Sequence, residues 1–141
     1  MGPEDLLIAA GLNCGRHQFL HLKHLCDIAE IVRVYPALDW RVVSDRARSQ
    51  TSANILYTAL QLTQRTVGCR VPPAVWADLG VSRSRQALVG LVCRLLLALP
   101  LAATSAGLSL GGRRIPLTLL LPYATYTWPQ LGRRLAHQLV G

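Results

Sequence analysis

The sequence predicts an all-α fold, a bundle of about five helices with a poorly specified C-terminal third. Three observations predict it. Apolar residues recur at three- and four-residue steps through the first two thirds of the chain, which is the period of a helix rather than a strand. Start and stop signals punctuate that pattern at helical spacing: Pro3, Asp39, Gly68, Pro72-Pro73 and Gly80. Length supplies the third bound, because 141 residues make one domain's worth of chain with a single core.

Pro3-Glu-Asp puts a proline and two carboxylates at a helix start, where the dipole favours them. Leu6 to Ala10 gives a short apolar turn that Gly11 ends, and Gly15 breaks the chain again. The main helix is expected from Arg16 to Val34, stopped by Tyr35-Pro36 because the residue before proline avoids the helical region. Projected at about 100° per residue, Arg16, Lys23, Asp27 and Glu30 share one narrow sector. Apolar residues from Phe19 to Val32 fill most of the rest, which describes a buried central helix with one polar strip. Asp39 caps a helix from Trp40 to about Arg48. The next, from Ser52 to Val67, carries a polar stripe of Asn54, Thr58, Gln61 and Arg65, with Leu56, Leu60, Thr63 and Val67 opposite. Pro72-Pro73 opens a short helix ending at Gly80, and Ser82 or Ser84 caps another running towards Leu99.

Beyond Pro100 the signals weaken. Thr104 to Gly107 and Gly111-Gly112-Arg113-Arg114 read as loop, and Ile115 to Leu121 is ambiguous between strand and loop. Gln130 to Val140 gives a last short helix. The chain divides into a helical domain over residues 1–100 and a basic, Gly/Pro-interrupted apolar tail over residues 101–141.

The net charge of +8 is unevenly placed. All seven acidic residues precede Leu79, whereas the stretch from Gly80 onward holds seven arginines, no acid and no lysine. Such a half suits nucleic acid, anionic lipid or an acidic protein partner. Few aromatic residues accompany the arginines, so a base-stacking surface finds little support. The same composition is what a GC-rich reading-frame slip would leave. A hydrophobic fraction of 51% and a mean hydropathy of +0.30 leave apolar surface over for a protein partner.

Gln86 to Ala106 is apolar and nearly long enough to span a bilayer, but Arg94 sits near its middle. An arginine there costs roughly 2.5–3.5 kcal/mol. A core helix ending at Pro100 is the better reading. The four cysteines form no C-x-x-C pair, and the N-terminus lacks a charged-then-apolar leader, which together suggest reduced thiols in a cytoplasmic protein.

His17, His21 and His24 recur at the spacing of one helix face and could contribute to a zinc site. No carboxylate or cysteine completes the set, so the expectation is no metal and histidines at a packed margin. Lys23 and Asp27 form an i, i+4 pair whose plain reading is a solvated ion-pair strip. No nucleophile elbow, P-loop or dinucleotide glycine pattern is present. Two-metal phosphoryl transfer needs carboxylates that bridge both ions, and no Asp-x-Asp pair exists here.

With these residues in view, the chain resembles the C-terminal helical part of the uncharacterised nucleotidyltransferase family, in the polymerase-β-like superfamily. The likeness is carried by Pro3-Glu-Asp-Leu-Leu7, Leu12-Asn-Cys-Gly-Arg-His17, Leu22-Lys-His-Leu-Cys-Asp-Ile-Ala29 and Pro36-Ala-Leu-Asp-Trp40. Leu56-Tyr-Thr-Ala-Leu-Gln-Leu62 and Gly68-Cys-Arg-Val-Pro72 extend it to about residue 79. Asn13 stands where the family pattern has His, Arg16 where it has Lys, and His24 where it has Trp. The resemblance implies a catalytic domain with a Gly-Ser loop and metal-binding aspartates, placed before Met1, that would bind magnesium and a nucleoside triphosphate. It implies no cofactor and no catalytic residue on this chain. Arg16, His17, Lys23 and Asp27 are the positions it marks as substrate-cleft residues, and the missing domain is the partner it implies for the leftover apolar surface. The expectation is a truncated nucleotidyltransferase-like protein without activity of its own, with a basic helical binding module as the alternative.

Overall fold

The first helix, α1 (Pro3–Arg16), runs straight through both glycines that the sequence marks as breaks. Packing explains why, in a computed structural model that describes residues 2–17, 19, 21–98, 108–110 and 113–115. An ideal Cβ on Gly11 would lie 2.8 Å from Leu56 Cδ1, and one on Gly15 would lie 2.6 Å from Ile55 Cγ2. Both glycines are buried, and the absence of side chains lets α1 rest closely on the helix that carries those two residues.

The single helix expected from Arg16 to Val34 is instead divided. Arg16 ends α1, and α2 (Leu22–Val34) begins after a break. Phe19 makes that break: it takes a positive φ of 58° and turns its ring into the core, where it is buried. Its N–H donates to the Cys14 carbonyl at 2.9 Å, so the departure from helix leaves that donor satisfied.

Consequently α2 is not the central helix. Among its described residues only Leu25 and Ile28 are buried, and Leu22 is 62% exposed. After α3 (Trp40–Ser49), the central place falls to α4 (Ala53–Thr66), which is buried from Ile55 through Leu60 and at Leu62 and Thr63. Thr58 of the expected polar stripe is therefore inside. Its hydroxyl donates to the Asn54 carbonyl at 2.9 Å, and that of Thr63 to the Ala59 carbonyl at 2.8 Å. Those bonds let polar side chains sit on a buried helix. Val67, expected on the apolar face, is exposed.

The start of α3 is as expected. The Asp39 carboxylate accepts from the N–H of Arg41 at 3.0 Å and of Val42 at 3.1 Å. The helix closes with Thr51 in the left-handed region, φ 55°, its N–H donating to the Arg48 carbonyl and that of Ser52 to the Ala47 carbonyl. These paired bonds are a Schellman closure. Gly68 and Gly80 have positive φ, and α5 (Pro73–Asp78) and α6 (Arg83–Ala98) follow them. No described helix is long and apolar enough to cross a membrane.

The described residues thus form six helices, around a core that includes Leu7, Ile28, Val43, Leu60, Val75 and Val92. A small antiparallel hairpin, β1 (Leu108–Leu110) with β2 (Arg113–Ile115), pairs Leu110 with Arg113 and Leu108 with Ile115. Arg113 and Arg114 are therefore strand residues, not loop. The Gly111-Gly112 step between the strands is a two-residue hairpin signal that explains the difference. The all-α class stands, with the hairpin as the β element among the described residues. The apolar run from residue 116 and the last helix expected over 130–140 lie outside the described residues.

Candidate functional site

The break at Phe19 rearranges the expected polar strip. Arg16 is the last residue of α1 and His17 its C-cap, while Lys23 and Asp27 belong to α2, so the four do not share one helix face. Lys23 makes no ion pair with Asp27 among the described residues. Asp27 instead lies 3.9 Å from Nδ1 of His24, and Glu30 is held by Arg33, at 2.5 and 2.9 Å, on the next turn. That guanidinium holds the Glu30 carboxyl below its usual range.

The three histidines do come together, but across the break. The ring of His17 stacks on His24 with centroids 4.7 Å apart, and His21 meets both edge-on at 5.6 and 5.8 Å. Asn13 Nδ2 lies 3.3 Å from Nδ1 of His24, which ties the α1 and α2 ends to each other. Among the described residues no three His, Cys, Asp or Glu side chains are placed to hold a metal. Stacking and edge contacts account for the cluster.

The carboxylates do not fit a two-metal phosphoryl-transfer centre. All seven lie within the described residues, and five are already engaged. Asp5 is bonded by Arg46 at 2.6 Å, which holds its carboxyl below the ordinary value, and Asp45 is bonded by Arg48. Glu30 is held by Arg33, Asp39 caps α3, and Glu4 accepts from the Asp39 N–H at 3.3 Å. Asp27 and Asp78 remain, on α2 and at the end of α5.

A concavity among the described residues lies elsewhere. The last turns of α2 and the Tyr35-Pro36 stop form one wall, the start of α3 another, and the segment Val67 to Pro72 a third. Together they enclose a cleft of about 680 Å³. Tyr35, Trp40, Val32 and Val67 give it apolar and aromatic sides, with Arg33 and Arg70 among its lining. Arg33 is occupied by Glu30, whereas Arg70 has no hydrogen bond or ion pair among the described residues. Two thiols also line it: Cys26 is exposed, and Cys69 is half-buried and pushed up in pKa by that burial. None of these residues is among the four marked by sequence. In the sequence, Tyr35-Pro36 and Gly68-Cys-Arg-Val-Pro72 mark helix stops and carry part of the family resemblance but give no sign of a cleft, which forms because the two stops lie side by side.

Among the described residues, fold and site define a helical domain with an aromatic cleft lined by an arginine that has no hydrogen bond or ion pair there, and with five of its seven carboxylates engaged in caps and ion pairs. Comparison with known proteins then places the N-terminal part: residues 1–68 match the family described as uncharacterised nucleotidyltransferase. Over that segment the resemblance seen in the sequence holds. No curated protein and no solved structure matches the chain.

Proposed function

We propose that this chain is the helical part of a nucleotidyltransferase-like protein and does not transfer nucleotidyl groups by itself, the metal-binding carboxylates coming from residues outside this sequence. The observation that carries the reading is the engagement of Glu4, Asp5, Glu30, Asp39 and Asp45 in caps and ion pairs within a segment similar to that family. A two-metal mechanism needs carboxylates free to bridge both ions, and the two that remain sit on different helices. Magnesium and a nucleoside triphosphate would then be held by the missing catalytic part, for which the leftover apolar surface supplies an interface. Exposed Leu22, Val34 and Leu91 support that role, being large apolar side chains without cover.

The test is pyrophosphate release by the purified chain with magnesium and each of the four common ribonucleoside triphosphates. No release above the protein-free control is expected. Steady turnover that survives further purification would overturn the proposal.

A further inference from the structure

We infer that the cleft between α2 and residues 67–72 is a binding site for a small aromatic anion, a flat ring bearing one phosphate or carboxylate group. This goes beyond the catalytic reading and does not depend on it, since it concerns binding alone.

Size, shape and charge converge on that class. The volume of about 680 Å³ falls inside the range of small-molecule sites, and the lining is apolar with few polar groups, as such sites are. Tyr35 and Trp40 supply flat faces, and Tyr35 remains 41% exposed as though awaiting a partner for its ring. The two guanidiniums are not equivalent. Both nitrogen contacts of Arg33 go to Glu30, which neutralises it. Arg70 is uncommitted among the described residues, and its planar fork matches the paired oxygens of one carboxylate or phosphate. One free guanidinium beside one carboxylate favours a ligand with a single anionic group over a polyanion. Burial keeps the Cys69 thiol protonated, so it adds no opposing charge.

The experiment is calorimetric titration of the whole chain with phenyl phosphate, benzoate, inorganic phosphate and phenol. At least one aryl anion is expected to bind roughly tenfold or more tightly than both inorganic phosphate and phenol, each of which carries half of the recognised chemistry. The comparison of phenyl phosphate with benzoate shows which anion the cleft prefers. Arg70→Ala, at an exposed position whose loss leaves the fold intact by circular dichroism, weakens the aryl anion about tenfold or more and leaves phenol unchanged. Tyr35→Ala weakens aryl binding and leaves inorganic phosphate unchanged. Three results would overturn the inference: no aryl anion binding below about 10 mM, neither aryl anion binding more tightly than both inorganic phosphate and phenol, or unaltered aryl binding by Arg70→Ala. None of them would bear on nucleotidyl transfer.

Discussion

The seating of α1 on α4 makes one substitution act in opposite directions at two helical glycines. In Gly15→Ala the new methyl would lie 2.6 Å from Ile55 Cγ2, far inside the carbon–carbon optimum of about 3.5–4.0 Å. Ile55 is only 5% exposed, so it cannot swing into solvent. Overpacking of this kind costs about 1–3 kcal/mol, and the better helix propensity of alanine returns up to about 1 kcal/mol. The net expectation is a loss of about 1–2 kcal/mol. Gly90, in α6, has no atom within 4 Å of its ideal Cβ. Gly90→Ala therefore collects only the propensity gain and stabilises by about 0.5–1 kcal/mol. Urea unfolding followed by far-ultraviolet circular dichroism measures both, with an unchanged slope showing that stability alone has moved. Pairing Gly15→Ala with Ile55→Ala removes the clashing methyl, so the double variant loses less than the sum of the singles. A rise in midpoint for Gly15→Ala equal to that of Gly90→Ala would refute the close approach of the two helices.

Four further outcomes follow from the same structure. Asp39→Ala removes the cap of α3 and should cost about 1 kcal/mol in urea unfolding. Thr51→Gly relieves a β-branched residue in the left-handed region and should raise stability by about 0.5–1 kcal/mol in the same assay. Arg46 lowers the Asp5 carboxyl below its ordinary 3.8, so its contribution is full above that value and lost as pH falls through the lower folded value. Asp5→Asn should remove that part of the acid dependence, read as urea midpoints between about pH 5 and pH 2. With a thiol reagent at neutral pH, exposed Cys26 should react fast and Cys69 slowly. Cys14 and Cys93, pushed up to about 12 and about 11 by burial, should react only on unfolding.

Which parts of the fold were legible depends on where the deciding atoms lie. The start of α3 is written in its own residues, because the Asp39 carboxylate reaches only two and three positions onward. The course of α1 is not. Gly11 and Gly15 look like stops from within their segment, and only the Leu56 and Ile55 side chains, some forty residues away, reveal them as places of close approach. The true break falls at Phe19, whose left-handed backbone accompanies the burial of its ring in the core. Once the chain bends there, the angular bookkeeping that joined Arg16 to Lys23 and Asp27 no longer applies. Likewise α4, read as two-faced, is buried on most sides between Ile55 and Thr63, and the bonds of Thr58 and Thr63 to their own helix offset the cost of burying them.

The histidines and the cleft mark the two sides of the same limit. Spacing correctly gathered His17, His21 and His24, yet they meet through a bend and not along a continuous face, so a right grouping arose from a wrong geometry. Spacing could not gather Tyr35, Trp40 and Arg70, because the whole of α3 and α4 separates the two chain stops that carry most of the cleft. A helix stop is where the chain leaves its own hydrogen-bond ladder and a side chain can face sideways into a neighbour's end. Two such ends side by side form a concavity that neither helix has alone, and it is lined by Arg70, whose guanidinium is uncommitted among the described residues. Along the charged face of α2, by contrast, Glu30 and Arg33 pair with each other, whereas Arg70 at the helix ends has no hydrogen bond or ion pair among the described residues.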